Sequence, residues 1–193
     1  MIISERGVVS ALNKAYKSGG YTAYTTEGKI YLYSDNWYLH CEISKFPKKA
    51  LARIVEHTGI LLETAEPMLV CAAEEPQNVM LAVAESEIAT WMRGEVSRTA
   101  LMVPVIFREA QVYQESGSMV CYGVNPLTLS IVERGVAELG VAAVTDEARM
   151  MWSHDGEVII IKAVRPATAD WKSAWEREVW KTLETIDLHK KEN

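Results

Sequence analysis

The stretch Tyr21-Thr22-Ala23-Tyr24-Thr25-Thr26-Glu27-Gly28-Lys29-Ile30-Tyr31-Leu32-Tyr33-Ser34 decides the fold. In its second half Ile30 and Leu32 alternate with Lys29, Tyr31 and Tyr33, so one strand face is aliphatic and the other aromatic. Glu27-Gly28 supplies a turn between the two runs, and the whole reads as a β-hairpin. Upstream, Ser4 is placed to cap a helix in which Val8, Val9, Leu12, Ala15 and Tyr16 recur at helical spacing until Gly19-Gly20 stops it. Downstream, Asp35-Asn36 turns into a third strand, Trp37 to Ile43, and Pro47 opens a helix from Lys48 to His57 that ends at Gly59.

The middle of the chain is less regular. Ile60 to Glu63 and Met68 to Ala73 read as short strands, broken by Pro67 and by the turn-like run Glu74-Glu75-Pro76-Gln77-Asn78. Val79 to Ala84 reads either as the start of a helix or as a strand, and Ser86 or Glu87 through Met92 reads as helix, with Gly94 as its stop. Ala100 to Phe107, Gln111 to Gln114 and Met119 to Tyr122 read as strands. Asn125-Pro126 then places a cap and a first-turn proline ahead of one helix, Leu127 to Leu139. After a short strand, Val141 to Val144, a second hairpin joins Ala148 to Trp152 with Glu157 to Val164 through Ser153-His154-Asp155-Gly156. Thr168 is placed to cap a final helix, Ala169 to Leu188.

Helix, three strands, helix therefore occurs at residues 4 to 58 and again at 126 to 188. The fold class is α+β, mainly antiparallel sheet flanked by helices, with the two similar helix-three-strand-helix segments as halves. Glu5-Arg6-Gly7-Val8 recurs as Glu133-Arg134-Gly135-Val136, at different depths of the two expected helices. The 193 residues suit one compact unit, 1–193, which divides by pattern into 1–62, 63–125 and 126–193.

Composition narrows the function classes. Apolar residues at 49% and charged residues at 24% suit a globular chain and exclude collagen-like or disordered ones. No apolar run approaches the roughly 20 residues that span a bilayer. The start, Met1-Ile2-Ile3-Ser4-Glu5-Arg6, lacks the basic and apolar regions of a secretory signal, which predicts a cytoplasmic protein. Cys41, Cys71 and Cys121 form no C-x-x-C pair and read as reduced, buried small hydrophobes. The net charge of -6 is uneven: +3 over 1–62, -6 over 63–95 and -3 over 96–193. Each phosphate contact needs a Lys or Arg, so the acidic middle section makes a nucleic-acid partner unlikely there and confines any such contact to the N-terminal third.

Motifs for chemistry are missing. No phosphate-binding glycine loop follows a strand, Glu115-Ser116-Gly117-Ser118-Met119 is no nucleophile elbow, and His40, His57, His154 and His189 lack metal-ligand spacing. Neither a cofactor nor a metal is expected. Two constellations remain. Tyr31, Tyr33, Tyr38, His40 and Glu42 lie on adjoining strands and could surround a small-ligand pocket or serve acid-base work. The final helix carries Trp171, Trp175 and Trp180 within ten residues, with Trp171, Trp175, Val179, Leu183 and Ile186 as its stripe, and Trp is over-represented at the centres of protein interfaces. With the acidic surface at Glu74 and Glu75 and the adaptable side chains of Met68, Met80, Met92 and Met102, this predicts a non-catalytic protein that binds a partner of basic surface and itself. Small acidic accessory or inhibitor proteins of mobile genetic elements fit that type. The alternative is an enzyme or ligand binder using the aromatic N-terminal sheet.

Overall fold

The computed structural model describes residues 1–60, 66–93, 98–145, 148–165 and 173–189. Among these, the elements in chain order are α1 (Glu5–Ser18), β1 (Tyr21–Thr26), β2 (Lys29–Ser34), β3 (Trp37–Glu42), α2 (Lys48–Thr58), β4 (Met68–Cys71), β5 (Glu74–Asn78), α3 (Leu81–Met92), β6 (Arg98–Phe107), β7 (Ala110–Glu115), β8 (Cys121–Val124), α4 (Pro126–Leu129), α5 (Arg134–Leu139), β9 (Ala142–Val144), β10 (Arg149–His154), β11 (Glu157–Lys162) and α6 (Ala174–Leu183). The fold is α+β. One antiparallel sheet joins all eleven of these strands in the order β5-β4-β1-β2-β3-β11-β10-β9-β6-β7-β8.

Local chemistry explains the first third. The Ser4 side chain accepts from the Gly7 N–H at 3.3 Å and caps α1. Glu27 and Gly28 both take positive φ, 49° and 76°, the turn whose twist suits a two-residue hairpin. Asp155 and Gly156 repeat that geometry between β10 and β11. The apolar faces of α1 and α2 then cover one side of the sheet, burying Val8, Leu12, Ile54, Ile30, Leu32 and Leu39. On the other side α3 lies over β2, β3 and β11, while Trp180 of α6 packs with Val103, Val112 and Cys121 of β6, β7 and β8.

The recurrent strand triplets meet at the centre of the sheet. β2 and β3 make six register pairs from Lys29↔Glu42 to Ser34↔Trp37, and β10 and β11 make six from Arg149↔Lys162 to His154↔Glu157. β3 then pairs with β11 antiparallel, and Leu39, the third residue of β3, faces Ile159, the third residue of β11. The hairpins β2-β3 and β10-β11 are thus related by a local two-fold between Leu39 and Ile159. Beyond β9 the sheet curls until β8 meets the chain leaving β11, where Gly123 and Val164 exchange two backbone bonds of 2.8 Å. That closes one edge.

Three expected elements differ. Glu74–Asn78 is the edge strand β5 and not a loop, because Pro76, which lacks an N–H, is tolerated where one strand side has no neighbour, and exposed acids discourage further pairing there. The single helix from Leu127 to Leu139 is two. Ser4 N–H donates to the Ile131 carbonyl at 2.8 Å and Glu133 N–H to the Ile2 carbonyl at 2.7 Å, so residues 2–4 and 131–133 form a short bridge where β-branched Ile131 and Val132 are buried. This break puts Glu133 at the N-cap of α5 and Glu5 at the first position of α1, so the two Glu-Arg-Gly-Val copies both start helices. Finally, α6 starts at Ala174, after Ser173, whose side chain accepts from the Glu176 N–H at 3.3 Å; Ser173 and Glu176 have the spacing of a capping box, a signal the expected cap Thr168 had masked. Thr168, Ala169, Pro166, Gly94 and residues 61–63 of the expected Ile60 to Glu63 strand lie outside the described residues.

Candidate protein-docking surface

α3 is the element that the rest of the fold accounts for least. It follows β5 through Val79, whose N–H donates to the Pro67 carbonyl at 2.8 Å. Its inward stripe is narrow: Ala84, Ile88 and Trp91, at spacings of four and three. Ile88 and Trp91 meet Tyr33, Tyr38 and Ile160, with the Trp91 ring stacked on Tyr38 at 6.2 Å. Only Ala84 and Trp91 of its residues are buried. Leu81, Val83 and Met92 point outward beside the preceding Met80, which is 74% exposed, and Val83 is 48% exposed. Glu85 on the helix and Glu74 and Glu75 on β5 are exposed as well. At 100° per residue Leu81 and Met92 flank the buried stripe on one side and Val83 on the other, so α3 exposes apolar side chains on both of its flanks, and acids are exposed on the helix and on the strand that precedes it.

The methionines divide accordingly. Met80 and Met92 are at this surface, whereas Met68 is buried and Met102 is half-buried.

The tryptophans of the last helix do not form one surface. Trp180 is 1% exposed, its ring edge-on to Phe107 at 5.5 Å and its Nε1–H donating to Glu184 Oε1 at 3.2 Å, which corrects its expected place in a partner contact. Trp175 is 69% exposed, and Trp171 lies outside the described residues. The buried stripe is rotated from Trp175 and Val179 toward Trp180 and Leu183 because the end of α6 is fastened to β7 and β8. There the buried Gln114 side chain donates to the carbonyls of Leu183 and Ile186 at 3.2 and 2.9 Å and accepts from Leu188 N–H at 2.9 Å. A buried glutamine that completes a helix end several dozen residues away leaves no periodic signal in sequence.

The aromatic residues of the N-terminal sheet come together without all opening to solvent. Tyr33 and Tyr38 are buried under α3, and Tyr31 and His40 are half-exposed. The Tyr38 hydroxyl lies 2.7 Å from His40 Nδ1, and the Tyr31 and His40 rings are 5.4 Å apart. Glu42 stands apart at the surface, where it accepts from the Ser44 hydroxyl at 3.4 Å and sits 3.9 Å from the Lys45 ammonium. Burial raises the Tyr38 phenol above its ordinary value, as burial and then Glu27 do for Tyr31. A tyrosine so shifted holds its proton, so Tyr38 is a hydrogen-bonding and packing group here. Burial also pushes the Cys41 thiol up to about 12 and the Cys121 thiol to about 11, which leaves both as protonated core residues. Among the described residues no three His, Cys, Asp or Glu side chains form a metal-binding group, and no helix is long and apolar enough to cross a membrane.

Burial, with Lys29 second, holds His40 below its ordinary value, and burial followed by Arg53 does the same for His57 against an opposing effect of Glu56. A histidine whose folded value is lowered contributes stability above its unfolded value, near 6.5, and that stability is lost as pH falls through the window beneath it, since the unfolded chain takes up the proton first. Urea midpoints measured between about pH 7.5 and about pH 5.5 are therefore expected to drop with pH, and His40→Gln to flatten the drop. An unchanged slope in the variant would place the effect elsewhere.

No protein-family model, curated protein or solved structure matches this chain.

Proposed function

We propose that the protein acts by binding another protein, through the exposed apolar flanks of α3 and the acidic edge strand that precedes it, with no chemistry of its own. The observation that carries this is the mismatch between composition and burial in α3. A helix apolar on most of its circumference is ordinarily covered all round, and this one leaves Leu81, Val83 and Met92 facing outward. Exposed methionines such as Met80 and Met92 suit a surface that adapts to its partner.

Charge selects the partner. Glu85 is exposed on α3 itself, and Glu74 and Glu75 are exposed on β5, the strand that leads into it, so a fitting partner has an apolar centre and a rim of Lys or Arg. A second copy of this chain, docked by a two-fold axis, would bring the same acids against each other, which disfavours self-association through this face. The basic channel of a nucleic-acid enzyme has the required character, and an accessory or inhibitor protein of a mobile genetic element would cover such a channel with a surface of this kind.

A photo-crosslinking residue at Val83, with one at Trp175 as control, tests the reading in the protein's native cells. A basic protein captured from position 83 alone is the expected result. Glu74→Lys with Glu75→Lys should then slow its association and flatten the salt dependence. Equal capture from both positions, or unchanged kinetics across a salt series, would sink the reading. Light scattering adds an arm: a wild-type dimer dispersed by Val83→Asp would replace it with self-association.

A further inference from the structure

α1 and α2 lie side by side on the side of the sheet away from α3, and their charge is one-sided. Together they carry six Lys or Arg, namely Arg6, Lys14, Lys17, Lys48, Lys49 and Arg53, against two acids, Glu5 and Glu56. α3 carries Glu85 and Glu87 and no Lys or Arg. Both acids of the basic side are already engaged, Glu5 by the Lys49 ammonium at 3.1 Å and Glu56 by the Arg53 guanidinium at 2.8 Å. Arg6, Lys14, Lys17 and Lys48 are exposed and make no ion pair with a described residue. Glu133 shares a groove wall with Arg6 but does not pair with it.

The cations are ordered along the helices. Arg6, Ser10, Asn13 and Lys17 recur at steps of four, three and four, so they share one outward stripe of α1, with Lys14 beside it. From Arg6 to Lys17 the helix axis runs about 16 Å, which spans the wide groove of a B-form duplex, about 12 Å across. On one flank of α1 a groove of about 430 Å³ separates it from α2, with Arg6, Lys49 and Arg53 on its walls. On the other flank a cavity of about 160 Å³ is lined by Lys14 with Ser10, Asn36 and Thr128. Hydroxyl and amide groups of that kind contact phosphate oxygens alongside Lys and Arg.

What the face lacks narrows its ligand. No large apolar residue of α1 or α2 is exposed, so it has neither the apolar side chains that enter a bilayer nor the apolar centre of a protein interface. The only rings of the two helices, Tyr16 and His57, are half-buried and stack on each other at 3.9 Å, which leaves no exposed aromatic platform for the bases of a single strand. A duplex backbone asks only for cations and small polar donors. We propose that the α1-α2 face binds double-stranded nucleic acid through its phosphates, without reading sequence. Its residues are separate from those of the α3 surface, so the two readings stand or fall independently.

Fluorescence anisotropy of the full chain with labelled DNA duplexes of about 24 base pairs, in two unrelated sequences and over a salt series from about 50 mM, tests this. Saturable binding below about 100 µM at the lowest salt is expected, equal for both sequences and falling steeply with salt. Arg6→Gln and Lys17→Gln should each weaken it about tenfold at about 50 mM and lower the salt slope by about one. Neither side chain is buried or ion-paired, so both variants should keep the wild-type circular dichroism spectrum. Lys181→Gln on α6, which removes the same charge elsewhere, should change nothing. The idea fails if the duplexes do not saturate, if the two stripe variants bind as wild type, or if Lys181→Gln weakens binding as much as they do. It fails equally if the single strand, polyglutamate or phosphatidylserine vesicles bind as tightly as the duplex, which would give the face to a single strand, an acidic protein or a membrane instead.

Discussion

Gly7→Ala is expected to destabilise the protein by about 3 kcal/mol or more, while Gly135→Ala stabilises it by about 0.4–1 kcal/mol. The two glycines occupy the same place in the recurrent Glu-Arg-Gly-Val tetrapeptide. A Cβ on Gly7 would lie 1.6 Å from the Ser130 carbonyl oxygen and 2.8 Å from the Ile131 nitrogen, both backbone atoms held by the bridge to residues 2–4. Relief requires α1 to move away from the turn after α4. A Cβ on Gly135 meets nothing within 4 Å, and in a helix alanine gains by having fewer unfolded conformations to lose. Urea unfolding of both variants checks the pair, and equal effects would mean that the contact of Gly7 with Ser130 yields without cost.

Trp180→Ala should cost about 3–5 kcal/mol, the range for deleting a buried large aromatic, and Trp175→Ala no more than about 0.5 kcal/mol. They stand five positions apart on α6, yet Trp180 fills the space between Phe107, Val112 and Cys121 while Trp175 stands in solvent. Its loss also removes the indole donor to Glu184, whose Oε1 accepts from the Cys121 N–H at 3.1 Å as well. Limited proteolysis should then cut the Trp180→Ala protein near α6 first, as a helix with its anchor gone opens locally. A Trp180→Ala protein as stable as wild type would return that ring to the surface as an interface residue.

How far the sequence could be read follows from the range of the interactions involved. Hairpins are local: Glu27-Gly28 with its flanking alternation, and Asp155-Gly156 with the run Val158 to Ile161, each specify a strand pair without help from elsewhere. Helix α1, with its cap Ser4 and its stop at Gly19-Gly20, is as self-contained. The 130–133 stretch is the opposite case, because its apolar spacing suits a helix and only the arrival of residues 2–4 converts it to a bridge. Likewise, Glu74 to Asn78 has the composition of a loop and becomes a strand because it occupies an edge. For the candidate surface, the acids and methionines were visible as residue types, but which of them face outward was not, since Met68 and Met80 differ only in where the chain carries them. Nor could the basic charge of 1–62 and the acidic charge of 63–95 be assigned to opposite faces before the sheet was known to lie between α1 and α3.

The pairing of β3 with β11 has a consequence for synthesis. About 120 residues separate the partners, and at translation rates of about 5–20 residues per second β3 is made roughly 6–24 s before β11 exists. During that interval the hydrogen-bonding edge of Trp37–Glu42 has no partner, while β1, β2, α1 and α2 can already assemble behind it. A nascent chain in this state offers an open, apolar strand to any neighbour on the same message. Growth of the protein at high expression should therefore depend on chaperones that shield extended segments, and a version of the gene that slows translation between residues 42 and 157 should yield less soluble protein from the same sequence.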